Sequence, residues 1–329
     1  MEWRMKRVVV GLCPYFSMDN VWTRPTRPLT VLAPLAGFTD SIFRQICRSY
    51  GADIVVSEMA SVAALVHNPG KALERLKFVE PERPYIVQLF GAKPDQFGAA
   101  ARLITDKIKP DGLDINYGCP APKIIKEGAG AALGADLPRA RQVAQAVLGN
   151  TDLPVSIKLR AQNKEISAQQ LVAYLADLPL AAVTVHGRSV SGGFSGPTDP
   201  AAIAACRPYV RGVLIANGGI VDLTTAKMML QISLADGIMI GRGALSRPWI
   251  FQEIKKQQTI NLSWAELTEL IRHHAQLIVA YKGEAGLIEF RKFLAWYVKG
   301  WPQAKYLREQ LMQIKTLSQL EDIITSVSV

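Results

Sequence analysis

The sequence has few cysteines and no long apolar run. It contains 329 residues but only 4 cysteines, and Cys13, Cys47, Cys119 and Cys206 are too far apart to form a C-x-x-C pair. This spacing predicts neither a metal site nor a disulfide framework, and a reduced, cytoplasmic protein is the simplest interpretation. No apolar segment approaches the roughly 18 residues that a membrane span needs, so we expect no membrane association. Glycine and proline contents are ordinary, which argues against extended disorder.

The chain alternates short β-rich runs with longer helical stretches, and this pattern repeats eight times. Such alternation predicts an α/β fold with a parallel sheet, and eight units favour a closed (β/α)8 TIM barrel over an open sheet. The first strand is not followed by G-x-G-x-x-G, which argues against a dinucleotide-binding fold. The predicted strands are Thr30–Ala33, Asp53–Ser57, Pro84–Phe90, Gly112–Asn116, Pro154–Lys158, Ala182–His186, Gly212–Asn217 and Asp236–Ile240. The predicted helices are Ser41–Tyr50, Ala60–Leu76, Pro94–Lys107, Leu137–Leu148, Ser167–Leu178, Pro200–Cys206 and Leu223–Ile232.

The pattern divides the chain into three parts. Residues 1–28 form an extension that we expect to be poorly ordered or to add a strand at the barrel floor. Residues 29–252 form the barrel. Residues 253–329 show helical periodicity without strand runs and predict a small all-helical domain of three or four helices. Ser263-x-x-Glu266 is a capping box that opens the first of these helices.

Glycine-rich turns follow the last two predicted strands. Asn217-Gly218-Gly219 and Gly241-Arg242-Gly243 both lead into helices. Their backbone N–H groups can approach a phosphate closely because glycine has no side chain in the way. The loops after strands seven and eight are the usual phosphate site of this barrel, and Arg242 adds a positive charge. Ordinary tight turns would explain each run alone, but the two together predict a phosphate site.

Other strand ends carry reactive side chains. Lys158 and His186 end adjacent strands, and a lysine in a barrel mouth is costly unless it meets an anion. Lys158 is suited to balance a cofactor or a substrate carboxylate, but it is also suited to form a Schiff base, so class I aldolase chemistry stays open. Cys119 lies in a loop between Gly118 and Pro120, where it is suited to act as a proton donor or a nucleophile.

The C-terminal part contains a basic stretch between Arg291 and Lys315. It has six basic residues and one acid, Glu309, and the aromatics Trp296, Tyr297, Trp301 and Tyr306 lie among them. Basic residues interleaved with aromatics are typical of a nucleic-acid surface. A solvated amphipathic helix whose aromatics face the core explains the same pattern, and on this feature alone it is the simpler interpretation.

Several motifs together resemble the tRNA-dihydrouridine synthases, from about residue 30 to the low 320s. The most specific is Asp114-Ile115-Asn116-Tyr117-Gly118-Cys119-Pro120 with Lys123 three residues further on, and Ala33-Pro34-Leu35-Ala36-Gly37-Phe38-Thr39-Asp40 is nearly as specific. The other matching runs are Val87-Gln88-Leu89-Phe90-Gly91, Gly128-Ala129-Gly130-Ala131-Ala132-Leu133, Val185-His186-Gly187-Arg188, Ile215-Ala216-Asn217-Gly218-Gly219-Ile220 and Met239-Ile240-Gly241-Arg242-Gly243-Ala244-Leu245.

The resemblance implies an FMN-dependent oxidoreductase that uses NADPH or NADH to reduce specific uridines of tRNA to 5,6-dihydrouridine. It implies that hydride passes from FMN to C6 of the uracil and that Cys119 protonates C5. The cofactor-binding residues that it implies are Pro34, Leu35, Ala36, Gln88, Lys158, His186, Asn217, Gly218, Gly219, Gly241 and Arg242. Asn116 and Lys123 would flank the uracil. The helical domain would grip tRNA, for which the basic candidates are Arg291, Lys292, Lys299, Lys305 and Arg308; no obligate protein partner is indicated.

The sequence departs from the family pattern in a few places. Leu35 stands where the family usually has Met, Ala161-Gln162-Asn163-Lys164 replaces a Gly and an acidic loop, and Phe293 replaces a frequent His. Three alternatives stay open beside the tRNA reductase. They are a flavoenzyme acting on a free pyrimidine, similar to dihydroorotate dehydrogenase; a flavin-free barrel that uses Lys158 as a Schiff base; and a non-catalytic RNA-binding barrel.

Overall fold

The computed structural model describes residues 20–23, 27–193 and 195–327 of the chain. Eight parallel strands of the described part close into a barrel: β1 (Leu29–Leu32), β2 (Ile54–Val56), β4 (Tyr85–Phe90), β5 (Gly112–Asn116), β6 (Val155–Asn163), β8 (Ala182–Ser189), β9 (Val213–Asn217) and β10 (Gly237–Ile240). Strand β1 pairs with both β2 and β10, which closes the ring. Two short strands, β3 (Ala60–Ser61) and β7 (Ile166–Ser167), pair with β4 and β6. The predicted (β/α)8 barrel and all eight of its strands are confirmed.

Helices surround the barrel and continue into the C-terminal region. Those of the barrel are α1 (Ser41–Ser49), α2 (Val62–His67), α3 (Pro69–Glu74), α4 (Pro94–Lys107), α5 (Pro122–Lys126), α6 (Ala131–Gly134), α7 (Leu137–Leu148), α8 (Ala168–Tyr174), α9 (Pro200–Ala204), α10 (Leu223–Ser233), α11 (Arg242–Ser246) and α12 (Ile250–Lys256). The C-terminal helices are α13 (Trp264–Lys282), α14 (Gly286–Tyr297), α15 (Ala304–Leu311) and α16 (Leu317–Thr325). The Ser263 capping box opens α13 as predicted. No helix among the described residues is both long and apolar enough to span a membrane.

One predicted helix is wrong. The sequence predicted a single helix over Ala60–Leu76, but the structure has β3, then α2, then α3 in this segment. Pro69 occupies the first turn of α3. Proline lacks the N–H that a helix interior needs and disfavours helical backbone in the residue before it, so a helix cannot run through this position without a break.

The two-residue period of the strands decides what faces the barrel interior. Ile54 and Val56 of β2 belong to the core cluster inside the barrel, whereas Val55 belongs to the cluster between strands and helices. In the same way Ile86 faces inward in β4 and Val87 outward. Successive residues of a strand point to opposite faces, so every second residue after these positions also points inward. Polar side chains at strand ends therefore reach the barrel mouth.

The barrel floor is closed from below by the chain that precedes β1. Most of the predicted extension over residues 1–28 lies outside the described residues. Where it is described, Val21–Thr23 form a 3-10 helix rather than a strand. The Trp22 side chain is only 1% exposed and packs with Leu29 and Val31 in the interior cluster.

The C-terminal helices pack on the barrel through aromatic rings. Phe293 of α14 lies with its ring centroid 5.6 Å from that of Phe38 and 5.1 Å from that of Phe43 of α1. The buried His274 of α13 lies 4.8 Å from Phe293 and its Nδ1 is 2.9 Å from the Tyr297 hydroxyl. The phenylalanine that replaces the family's frequent histidine is thus a core residue, and the barrel and the helices share one continuous core.

A buried ion pair anchors the start of α1. The Arg44 Nε donates to Glu82 Oε2 at 2.5 Å, and both side chains are almost fully buried. Arg44 also donates to the Thr39 carbonyl at 2.7 Å. The other oxygen of Glu82 accepts hydrogen bonds from Ser41 Oγ and from the Val79 N–H. Both charged groups of the pair therefore have hydrogen-bond partners, and the pair ties α1 to the segment before β4.

We expect Glu82→Gln to lower the free energy of unfolding by about 3–5 kcal/mol, because it leaves the Arg44 charge buried without its anion. Urea denaturation measures the change. Glu80→Gln is the matched control, since Glu80 forms an exposed pair with Arg83 and should cost less than about 1 kcal/mol. A loss for Glu82→Gln as small as that of the control would contradict the anchoring role.

Candidate functional site

A cleft of about 1490 Å³ opens at the carboxyl ends of the barrel strands. The loop after β1, the loop that carries Cys119, the turns after β9 and β10, and the turn between α14 and α15 all line it. The structure brings together these residues that the sequence predicted for the site: Pro34, Leu35, Ala36, Gln88, Asn116, Cys119, Lys158, His186, Asn217, Gly218, Gly219, Gly241, Arg242 and Lys299. Residues from all parts of the chain thus converge on one cavity.

The wall of the cleft carries basic side chains and no acidic ones among the described residues. Its cations are Lys158, Arg160, Arg188, Arg242, Arg247 and Lys299. Burial lowers the pKa of Arg188, and the neighbouring Arg242 lowers it further. Cations that lie close together in a partly buried cavity create a positive potential. The cleft is therefore suited to an anionic ligand.

The turn after β9 leaves space that only glycine provides. Gly218 and Gly219 have φ angles of +110° and +72°, a backbone region that side-chain-bearing residues rarely adopt. A Cβ on Gly218 would lie 3.2 Å from His186 Cε1, and one on Gly219 would lie 3.0 Å from Thr198 Oγ1 and 3.9 Å from Arg188 Nη2. Glycine is thus required at both positions because the turn packs closely against His186 and Thr198, and the turn lies beside the guanidinium group of Arg188, a side chain that is suited to bind phosphate.

His186 is held as a neutral donor. Its Nδ1 accepts a hydrogen bond from the Arg188 N–H at 3.2 Å. Burial lowers the pKa of His186 to about 2, and the cations around it, Lys158 first among them, lower it as well. A neutral imidazole that accepts at Nδ1 carries its hydrogen on Nε2. That hydrogen is available to a ligand at the turn of Gly218, whose Cβ would lie 3.4 Å from Nε2.

Lys158 is a half-buried cation in the wall of the cleft. Burial lowers its pKa to about 8, while the nearby Asp114 raises it and Arg160 lowers it. Within the described part of the chain its ammonium group makes no hydrogen bond or ion pair, although it lines the cleft. Such a group is destabilising unless a ligand supplies negative charge. Lys158 therefore marks the place where an electron-rich part of a ligand should lie.

Cys119 is a free, half-buried thiol on a loop that is held from several sides. The Asn116 Oδ1 accepts hydrogen bonds from the Gly118 N–H at 3.0 Å and the Cys119 N–H at 2.9 Å. The Arg160 Nε donates to the Gly118 carbonyl at 3.1 Å. The Cys119 carbonyl accepts from the Ala131 N–H at 3.0 Å. Cys47 and Cys206 are buried outside the cleft.

The other predicted substrate residues do not line the cleft. Lys123 is exposed on α5, beside the Cys119 loop. Arg291 is half-buried and donates to the Ile314 carbonyl at 3.0 Å and 2.7 Å, so it ties α14 to the turn before α16. Lys292 lies over the rings of Phe38 and Phe293. Lys305 and Arg308 are exposed on α15.

The aromatic residues of the basic stretch also differ in their burial and location. Tyr297 is buried, Trp296 and Trp301 are half-buried and line the cleft, and Tyr306 is 56% exposed. Lys299 lies over the ring of Trp296, with its Nζ 5.4 Å from the centroid. The stretch therefore combines core residues with a basic, aromatic border of the cleft.

Sequence reasoning missed three features of the site. Asp114 is 2% exposed just below the cleft, and Trp249 adds an indole to its wall. Arg160 bridges the Cys119 loop to the Ser189 carbonyl at 3.0 Å and the Gly193 carbonyl at 2.8 Å. The signal for Asp114 was present, because it precedes Asn116 by two residues and so shares its inward face. The partners of Arg160 and Trp249 come from distant segments and leave no local pattern.

The segment after Arg160 also departs from the expected loop. Strand β6 continues through Ala161 to Asn163 and forms a tight antiparallel pair with β7. The Asn163 Nδ2 donates to the Tyr117 carbonyl at 2.9 Å. The residues that replace the family's acidic loop thus support the base of the Cys119 loop.

Fold and site together define a (β/α)8 barrel with a basic cleft and a free thiol at the carboxyl ends of its strands. Comparison with known proteins identifies the family. A family model for dihydrouridine synthase (Dus) matches residues 31–327. The chain belongs to the dihydrouridine synthase family.

Curated relatives agree with this assignment, and a solved structure shares the fold. The chain is 33% identical over 316 residues to the probable tRNA-dihydrouridine synthase of Mycobacterium tuberculosis, covering 89% of this chain and 80% of that protein. It is 34% identical over 315 residues to tRNA-dihydrouridine synthase B of Pseudomonas aeruginosa, covering 93% and 92%. The old yellow enzyme from Trypanosoma cruzi has a similar fold, with a TM-score of 0.55 and 12% identity over 71% of this chain and 89% of that chain.

Proposed function

We propose that this protein reduces specific uridines of tRNA to 5,6-dihydrouridine, with NADPH or NADH as reductant and FMN as cofactor. The observation that carries the proposal is the cleft itself. Among the described residues, one cavity without acidic side chains in its wall combines a half-buried thiol, a half-buried lysine and a turn of two glycines beside Arg188. The names of the relatives supply the reaction and the substrate class.

The residues of the cleft fit a flavin mononucleotide. Gly218, Gly219, Arg188 and Arg242 provide the open backbone and the positive charge that its phosphate requires. Lys158 provides the half-buried cation for the electron-rich side of its ring. FMN, when bound, supplies hydride-transfer chemistry that amino-acid side chains lack.

Further cleft residues would orient the ring and its ribityl chain. We assign an apolar wall to Pro34, Leu35 and Ala36, and Leu35 packs 3.5 Å from the position of a Cβ on Gly241. The Gln88 Nε2 donates one of its two hydrogens to Asp114, so the other hydrogen is available to the ring. His186 would donate from Nε2, and Asn217, whose Nδ2 is fixed by the Met239 carbonyl at 2.6 Å, lines the same side.

Cys119 is the proton donor of the proposed reaction. Reduction of the uracil C5–C6 bond adds hydride at C6 and requires a proton at C5, because C5 lies next to the C4 carbonyl and gains carbanion character. Cys119 is the described titratable thiol that lines the cleft. Its loop is hydrogen-bonded on both sides, so the Sγ is presented from a fixed backbone. The target base must leave its stack to reach it.

We assign tRNA binding to the border of the cleft formed by α14 and α15. Lys299 lines the cleft, and Lys305 and Arg308 extend the exposed basic surface along α15. Lys123 lies beside the Cys119 loop and is a further candidate for a phosphate contact. Lysine and arginine side chains bind RNA phosphates, while half-buried indoles such as Trp296 and Trp301 can stack on unpaired bases.

The first test concerns the cofactor. Purified protein should be yellow or bind added FMN, and Gly219→Ala should weaken FMN binding by roughly 10-fold or more, because its Cβ would lie 3.0 Å from Thr198 Oγ1 and would displace the turn that we assign to the phosphate. Gly283→Ala is the matched control, since Gly283 also has a positive φ but has no atom within 4 Å of its Cβ position. Fluorescence titration measures both. A protein that cannot be reconstituted with FMN would contradict the proposal and favour the Schiff-base alternative.

The second test concerns Cys119. Cys119→Ala should retain FMN and its reduction by NADPH, but it should reduce uridine in tRNA about 10²–10⁴-fold more slowly, because the general acid is lost. Single-turnover assays on unmodified tRNA, read by mass spectrometry, measure the rate. Cys206→Ala removes a buried thiol outside the cleft and should react like the unchanged protein. A normal rate for Cys119→Ala would remove this residue from the mechanism.

The third test concerns the basic border. Replacing Lys299, Lys305 and Arg308 by Glu should weaken tRNA binding strongly and make the salt dependence of the affinity shallower, because fewer counterions are released. Reduction of FMN by NADPH should not change. A control triple variant carries the same charge change at Lys107, Lys109 and Lys256, which are exposed at other helix ends. Equal tRNA affinity of the two triple variants would place the RNA site elsewhere.

A further inference from the structure

A continuous hydrogen-bond chain runs beneath the cleft from Asp114 to the loop of Cys119. The Asp114 Oδ2 accepts from Gln88 Nε2 at 2.7 Å, and the Gln88 Oε1 accepts from Asn116 Nδ2 at 2.8 Å. The Asn116 Oδ1 then accepts from the Cys119 N–H at 2.9 Å and the Gly118 N–H at 3.0 Å. The chain joins neighbouring strands β4 and β5, where Gln88 and Asp114 are paired in register.

Resting on the proposed function, we infer that Asp114 is a positioning residue: its carboxylate sets the orientation of the Gln88 and Asn116 amides and so holds the loop that presents Cys119. The other carboxylate oxygen, Oδ1, accepts from Ser156 Oγ at 2.6 Å. No contact of Asp114 with the cleft is required for this role, because its effect passes through two side chains.

The charge of Asp114 determines the direction of each hydrogen bond in this chain of side chains. An ionised carboxylate only accepts hydrogen bonds, so Gln88 must turn its NH2 group toward Asp114. Its oxygen then faces Asn116, which must offer its own NH2 group. Asn116 is left with its oxygen toward the two backbone N–H groups of the loop. The carboxylate therefore fixes the order of the two amides from one end of the chain, and the two loop N–H groups fix the same order from the other end.

Loss of the charge permits the opposite order, because an asparagine side chain can donate as well as accept. An asparagine at position 114 can offer its NH2 group to Gln88, which then turns its oxygen toward position 114 and its NH2 toward Asn116. Asn116 would follow and point its NH2 at the N–H groups of Gly118 and Cys119, where donor faces donor. The loop would lose two hydrogen bonds on this side and keep the Arg160 contact to the Gly118 carbonyl and the Ala131 N–H contact to the Cys119 carbonyl.

The number of hydrogen bonds that the Asn116 side chain can form supports the same assignment. Its NH2 group donates to Gln88 Oε1 and contacts Met59 Sδ at 3.0 Å, and its oxygen already accepts two N–H groups. An amide has two donors and two acceptor sites, so these contacts use all of them. Asn116 thus holds the loop and is not free to bind the uracil.

The charges that face Asp114 keep it ionised at neutral pH. Burial raises its pKa to about 6, whereas hydrogen bonds from Ser156 and Gln88 and the charge of Lys158 lower it. Gln88 approaches from β4, and Ser156 and Lys158 approach from β6. A fall in pH through about 6 should therefore protonate Asp114 and weaken the hydrogen-bond chain at its Asp114 end.

The test compares Asp114→Asn with Ser156→Ala, which removes the other partner of the carboxylate and leaves the amide order intact. In a Cys13→Ser background, alkylation of Cys119 by iodoacetamide should be roughly 5- to 10-fold faster in Asp114→Asn, because the loop loses hydrogen bonds. Single-turnover uridine reduction should fall roughly 10- to 100-fold. NADPH should still reduce bound FMN. Ser156→Ala should stay within about twofold of the unchanged protein in both assays.

A double variant supplies a readout that a general structural defect would not produce. Gln88→Glu combined with Asp114→Asn moves the carboxylate by one strand, so that Glu at position 88 accepts from both asparagines and restores the order of Asn116. The alkylation rate of Cys119 should return to within about twofold of the unchanged protein. If Asp114→Asn does not fold, a folded double variant takes its place, and fast alkylation of that protein would overturn the inference.

The outcomes separate this inference from the proposed function. Unchanged alkylation and uridine reduction in a folded Asp114→Asn variant would overturn the positioning role alone. Should the unchanged protein form no dihydrouridine in tRNA, the proposed function fails, and the alkylation rates still decide whether Asp114 holds the loop. Uridine reduction should also decline as the pH falls through about 6 in the unchanged protein, and this step should be missing in Asp114→Asn.

Discussion

Positive charge gathered at one end of the barrel is the constraint on which the site depends. Lys158, Arg188 and Arg242 line a cavity whose described wall carries no acid, and burial lowers the pKa of Lys158 and Arg188. The same charges keep His186 neutral, because a further cation there would be strongly unfavourable. A protein retains such an arrangement at a cost in stability when a ligand relieves it. The geometry is therefore that of a basic cleft suited to an anionic ligand.

Barrel closure makes this arrangement possible. Inward positions near the floor carry apolar residues such as Leu29, Val31 and Ile54, which fill the interior. Inward positions near the carboxyl ends carry Gln88, Asp114 and Lys158 instead, at the same two-residue spacing. The apolar layer excludes water from below, so electrostatic interactions above it act in a medium of low polarity. The strength of each contact in the cleft thus depends on packing several residues deeper in the same strands.

Features that are encoded in short stretches of the sequence could be predicted. Strand alternation, the glycine turns at Gly218 and Gly241 and the loop position of Cys119 are all visible in short windows, and the structure places them around one cleft. Roles that depend on partners from other segments were not visible. Arg291 looked like an RNA contact because of its charge, but the Ile314 carbonyl, 23 residues away, holds its guanidinium group. Asp114 appeared only as part of a motif, since its partners lie on β4 and β6.

Helix α14 couples the helical region to the chemistry of the barrel. Its inner face places Phe293 against Phe38 and Phe43, and its last turn contributes Trp296 to the cleft wall. Phe38 follows the Leu35 turn that we assign to the flavin wall, and the Thr39 hydroxyl binds the Leu35 N–H at 3.0 Å. A rotation of α14 would therefore disturb the cofactor wall as well as the proposed RNA surface. Under the proposed function, shared packing of this kind would fix the distance between a bound RNA and Cys119, so the position of the helical region would help to determine which base can reach the thiol.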